Sequence, residues 1–114
     1  QRKMEDEPKL LSLRKELLKV ASDGLNRMEQ TGSDPVARNI IAAAIERRLG
    51  DVNLEVGRIV QAETHYRACL EILLSLDAEN KLTGKRHNLS SAYELLASSL
   101  RHQGRNEEAL KYLT

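Results

Sequence analysis

Residues 49–76 read LGDVNLEVGRIVQAETHYRACLEILLSL. Gly57 interrupts this stretch, so one helix ends there and a second begins almost at once. The second carries Ala62, Tyr66, Cys69 and Leu70 on one face at three- and four-residue steps, the spacing of a packed helix side. A small residue at Gly50 lets the partner helix approach closely. Ala62 suits the crossing point, and Tyr66, one turn later, fills the space beyond it. This combination predicts a tight antiparallel helical hairpin made to be stacked.

Upstream, Gln1 to Glu7 is charged and reads as a frayed lead-in. Pro8 suits the first turn of a helix, where its missing N–H needs no partner. Leu10, Leu13, Leu17, Val20 or Ala21, Leu25 and Met28 then mark an amphipathic helix that ends at Thr31-Gly32. Gly24 inside it costs about 1 kcal/mol relative to Ala and marks either a close helix contact or a weak point. Asp34 can cap the next helix, with Pro35 at its first position. That helix runs to about Val56 through Ile40, Ile41, Ala44, Ile45, Leu49 and Val52, and its Ala42-Ala43-Ala44 run is narrow enough for a neighbour to approach.

Downstream, the third helix extends from about Arg58 to Ala78, and residues 77–85, polar and containing Gly84, form the main loop. A fourth helix presents Leu89, Ala92, Tyr93, Leu96 and Leu100 on one face and stops at Gly104. A fifth starts near Asn106 with Ala109, Leu110 and Leu113. The chain begins at Gln1 without a methionine and stops at Thr114 in mid-pattern, so a piece of a longer protein is expected. The 114 residues make one domain by length.

Composition agrees with an all-α reading. Three Tyr, no Trp and no Phe give little aromatic volume for a compact enzyme core, whereas thin helical layers can be filled by Leu, Ile, Val and Ala. The 18 basic and 17 acidic residues are interspersed and leave a net charge of +1. A nucleic-acid binder usually shows a basic face and a pI above about 9; here the pI is 8.1, which speaks against nucleic acid and against a helix-turn-helix DNA binder. The single Cys69 excludes an internal disulfide and fits a reducing compartment. No apolar run approaches the roughly 18 residues of a membrane span, so the expected setting is cytoplasmic, with no membrane partner.

The hairpin recurs. Gly57-Arg58 matches Gly104-Arg105, Ala62 matches Ala109 and Leu49 matches Leu96, all at an offset of 47 residues. A fixed period of about 20–50 residues implies a solenoid. The pattern resembles the tetratricopeptide repeat: Leu49-Gly50, Gly57, Ala62 and Tyr66 fall on its positions in order, with Cys69 as the second small residue. Tyr93, Leu96, Ala97, Gly104 and Ala109 match in the next copy, where Gly104 to Leu110 is close to the family's most typical string. The family period is about 34 residues, so this is an extended variant; Asn53 and Glu46 replace aromatic positions, and no proline closes either unit.

The resemblance implies antiparallel hairpins of about five helices stacked as a right-handed α-solenoid. It divides residues 8–114 into 8–31, the second half of a degenerate repeat, 34–80, a repeat, and 83–114, a repeat cut short. Extended variants of this kind resemble segments of bacterial multidomain proteins. In the family the first helix of each unit lines a concave face, which here implies Arg47, Asp51, Leu54 and Glu55, then Glu94, Ser98, Arg101 and His102. One branch of the family grips a terminal carboxylate with Lys and Asn; Asp51 stands where the Asn would be and argues against that ligand.

No chemistry-bearing motif competes. His65, His87 and His102 do not pair with one another or with Cys69 at i, i+3 or i+4, and a tight metal site needs three or four converging ligands. Cys69 lies on a core face. Asp51 to Glu55 resembles the start of a calcium loop, but Val56 and Ala62 occupy the glycine and bidentate-glutamate positions. Thr83-Gly84-Lys85 lacks the first glycine of a phosphate loop, and Arg86 replaces its Ser/Thr. Asn88-Leu89-Ser90 is a formal glycosylation sequon placed in a helix. The expectation is therefore a protein-interaction scaffold holding a peptide or partner domain, with no cofactor and no enzymatic role. The alternative is a structural spacer or self-association module, since a short stack leaves apolar ends.

Overall fold

The structure is a computed structural model and describes residues 2–82 and 84–113, with side chains from Pro8 onward. Five helices follow one another: α1 (Arg2–Thr31), α2 (Pro35–Glu55), α3 (Ile59–Ala78), α4 (His87–His102) and α5 (Asn106–Leu113). No strand occurs among the described residues. The chain is all-α.

Each of the first four helices is followed by a residue in the left-handed backbone region. These are Gly32, Gly57, Asn80 and Gly104, with φ of 63°, 84°, 58° and 76°. Their spacings are 25, 23 and 24 residues, so the 47-residue offset is two successive helix-plus-connection units of nearly equal length. The last three closures share one pattern. Arg58 N–H donates to Asn53 O at 2.8 Å and Gly57 N–H to Leu54 O at 3.0 Å. Lys81 and Asn80 repeat this on Leu76 O and Asp77 O at 2.8 and 3.0 Å, and Arg105 and Gly104 on Leu100 O and Arg101 O, both at 2.9 Å. Such paired bonds satisfy carbonyls that a helix end leaves without partners. Glycine enters the left-handed region without a Cβ clash, and asparagine is the side chain that best tolerates it.

The helix starts are also local chemistry. Asp34 accepts from Val36 N–H at 3.0 Å and Ala37 N–H at 3.3 Å, with Pro35 at the first helical position. Ala62 and Ala109 N–H groups donate to Arg58 O and Arg105 O at 3.0 and 3.1 Å. The two matching glycine turns therefore open the following helices in the same way.

One boundary differs from the sequence reading. The stretch expected as a lead-in is helical from Arg2, and Pro8 lies inside α1 rather than in its first turn. The missing proline N–H then removes one backbone bond.

Helices pack on their neighbours in sequence, α1 on α2, α2 on α3, α3 on α4 and α4 on α5. The molecule is a slab of 52 × 39 × 15 Å. One core runs through α2 to α5 by way of Ala43, Ala62, Tyr66, Leu73, Leu96 and Ala109. A second, between α1 and α2, is built from Leu13, Val20 and Val52 with Leu17, Ile45 and Leu49 beside them.

Candidate functional site

The residues expected on the binding face split into two groups. On α2, Arg47, Asp51 and Glu55 are exposed, while Leu54 is half-buried against the main core. On α4, Glu94, Arg101 and His102 are exposed and Ser98 is half-buried. His102 Nδ1 lies 2.8 Å from Ser98 O, a contact within one helix turn. Among the described residues, no hydrogen bond or ion pair joins the α2 group to the α4 group.

Asp51 and Arg47 both act on the centre of the hairpin. Tyr66 is buried and its hydroxyl donates to Asp51 at 2.6 Å. Burial and the Asp51 carboxylate push the phenol well above its ordinary range, with Arg47 pulling weakly the other way. Next to it, burial pushes the Cys69 thiol up to about 11 despite the Arg47 charge. A thiol held there is protonated at neutral pH and packs as a small apolar group.

Arg47 also lines a cavity of about 170 Å³ between α1, α2, α3 and α4. Ile40, Ala43 and Ala44 of α2 and Cys69 and Leu73 of α3 make its apolar wall, with Arg27 of α1, Arg47 and Asn88 of α4 around them. Ala43, Cys69 and Leu73 are buried, Asn88 is half-buried, and both arginines are exposed. The acidic residues of this part of α2 are engaged elsewhere. Glu46 meets His65 Nδ1 at 2.8 Å and Asp51 meets Tyr66. Arg27 was not singled out in the sequence and Asn88 only as part of a formal sequon, because only the fold of α1 and α4 onto α2 brings them to Arg47.

A second polar cluster joins α3 to the α4–α5 turn. The Glu63 carboxylate, 11% exposed, accepts from Arg67 at 2.7 Å, Arg105 at 2.7 Å and Gln103 at 2.8 Å. Arg105 also holds Glu108 through two bonds at 2.7 and 3.1 Å. Arg67 donates to the Tyr112 hydroxyl at 2.9 Å and lies 5.8 Å from the centre of its ring. Burial raises the Glu63 carboxyl, but the hydrogen bonds of Gln103 and Arg67 and the charges of Arg67 and Arg105 outweigh it and hold it below the usual carboxylate range. Three donors converge on the two carboxylate oxygens, so the cluster ties the α4–α5 turn to α3. The i, i+4 pair Glu63–Arg67 and the i, i+3 pair Arg105–Glu108 were its signals in the sequence.

No group of three or more His, Cys, Asp or Glu residues is placed to hold a metal among the described residues. Among them, too, no helix is long and apolar enough to cross a membrane. No known protein family matches the chain, and comparison with curated proteins and with solved structures yields no match.

Proposed function

We propose that this chain is a protein-interaction scaffold, a tetratricopeptide-like segment of a right-handed α-solenoid that holds a peptide or partner domain on the side of α2 and α4. The observation that carries the reading is the repeated joint. Gly57-Arg58 and Gly104-Arg105, 47 residues apart, close one helix and open the next with matching hydrogen bonds. A chain that reuses one joint and packs each helix on its sequence neighbours builds an extended surface. On that surface Arg47, Asp51, Leu54 and Glu55 form one patch and Glu94, Ser98, Arg101 and His102 the next. Both patches mix charges, which favours a polar partner surface over a uniformly charged one. The protonated, buried Cys69 accords with a cytoplasmic setting.

Selection from a displayed peptide library on the purified chain tests this reading. Retained peptides are then measured against Arg47→Glu and Glu94→Lys, exposed changes that leave the helices intact. The expected result is binding that one or both reversals weaken at least several-fold. Failure to retain any peptide, or peptides indifferent to both reversals, overturns the reading.

Self-association is the second reading, favoured by one observation. Leu11, Leu18 and Leu25 of α1 are 54%, 64% and 66% exposed and, at steps of seven residues, share one side of the helix. That stripe lies opposite Leu13, Val20 and Gly24, which pack on α2.

A further inference from the structure

We propose that the cavity between α1, α2, α3 and α4 receives one acidic side chain of a partner protein together with the aliphatic residue beside it. The proposal deepens the scaffold reading and rests on it. At about 170 Å³ the cavity is smaller than the roughly 300–1,000 Å³ of a site that encloses a whole small molecule. It fits part of a longer ligand, not the whole of one. Its inner wall, Ala43, Cys69 and Leu73, is buried and apolar and calls for an aliphatic group.

The lining also includes polar donors. Arg27 and Arg47 are exposed and, among the described residues, neither forms an ion pair. Asn88 offers an amide, and α4 begins there with no acidic residue in its first turn and no side-chain cap, leaving its positive dipole end uncompensated. Guanidinium pairs bind carboxylates through charge-assisted bonds. Glu46 and Asp51 stand close by on α2 and offset the charge of the two arginines, so the surroundings disfavour a phosphate dianion and a single carboxylate is held by the guanidinium bonds themselves. A chain terminus fits less well. Its carboxylate is attached directly to the carbon that bears the side chain and would sit near the apolar wall, whereas a glutamate carboxylate reaches the arginines.

The test uses the full chain, labelled with ¹⁵N, and three hexapeptide probes. The first alternates leucine and glutamate and is acetylated and amidated. The second is its glutamine counterpart, and the third is the glutamine peptide with a free terminal carboxylate. The expected result is saturable shifts at Ala43, Ala44, Leu73 and Asn88 with the first probe and at least tenfold weaker binding of the second. Arg27→Gln and Arg47→Gln each weaken the first probe by about tenfold, the scale of one charge-assisted hydrogen bond. Glu71→Ala, exposed on α3, leaves binding unchanged, and melting curves of all variants report that they fold. Equal binding of the glutamate and glutamine probes, indifference to both arginine changes, or binding by the free-terminus probe alone overturns the proposal. The scaffold reading would then still stand or fall on the library selection and its Glu94→Lys arm, since Glu94 lies outside this cavity.

Discussion

The ring of Tyr66 occupies the space where a side chain at position 50 would begin: a Cβ built on Gly50 would lie 2.5 and 2.6 Å from two of its ring carbons. The tyrosine cannot move aside, because it is 1% exposed and its hydroxyl is tied to Asp51. Two effects oppose each other in Gly50→Ala. Helix propensity favours alanine by about 1 kcal/mol, while overpacking costs about 1–3 kcal/mol. With a ring this constrained, overpacking wins, and the expected net loss is about 1–2 kcal/mol by denaturant unfolding. Gly24 supplies the contrast. Its nearest neighbour is the end of the Ile45 side chain, with Cδ1 at 2.5 Å from the built Cβ, and Ile45 is only half-buried. That end can rotate away, so Gly24→Ala should be far less damaging than Gly50→Ala. The reverse order would show that the hairpin is not set by the Gly50–Tyr66 contact.

Acid should loosen α5 before it unfolds the rest. The Glu63 carboxyl is held below its ordinary value of 4.5 in the folded chain. A lowered folded pKa means that its contribution is complete above about 4.5 and is lost as pH falls through the lower folded value. Proton uptake there removes the acceptor shared by Arg67, Gln103 and Arg105. The protection of the Ala109 amide against exchange should therefore fall, as pH is lowered past 4.5, before that of Leu73, whose helix is held by apolar packing. Glu63→Ala should cost about 2 kcal/mol, the scale of hydrogen bonds to a charged group, and should abolish the selective acid step. A selective step that survives in the variant would assign it to another group.

The thiol gives an independent probe of packing. Cys69 is 3% exposed, and burial pushes its pKa up to about 11, so both access and thiolate fraction are low at pH 8. Modification by a disulfide reagent should be slow in the native chain and rise to the rate of a free thiol only in denaturant. The midpoint of that rise should coincide with loss of helix. Rapid native labelling would mean that the cavity beside Ala43 and Leu73 opens readily.

Local spacing made much of the architecture legible. Gly57, Gly104, Ala62 and Tyr66 announce turns and packing faces because a helix reads its own sequence at steps of three and four. Asp34-Pro35 is a cap whose partners lie within three residues. Contacts between distant helices left no such trace. Gln103 and Arg105 meet Glu63 across 40 and 42 residues, and Arg27 and Asn88 reach the cavity only through the placement of α1 and α4. Asn80 was hidden for a different reason. Gly84 marked the polar loop, yet the residue that closes α3 is an asparagine, which also serves many turns without entering the left-handed region. Pro8 misled because an N-terminal proline and an early interior proline look alike in sequence.

The exposed stripe on α1 leads to the last prediction. Leu13 and Val20 are buried against α2, and a helix turns about 100° per residue, so Leu11, Leu18 and Leu25 fall on the far side. An amphipathic helix covering one core needs only one apolar face. The second face buries nothing within the described chain, and each leucine removed from water would contribute about 1.5–3 kcal/mol on full burial. If copies of the chain cover one another's stripe, the mass in solution should fall on dilution across a hundredfold range. Leu11→Lys, Leu18→Lys and Leu25→Lys together should then give a monomer of 12.9 kDa at every concentration, with its helix content unchanged. A wild-type chain that is already monomeric throughout would end the self-association reading. It would also free the α2 and α4 surface to be tested as the binding face without competition from assembly.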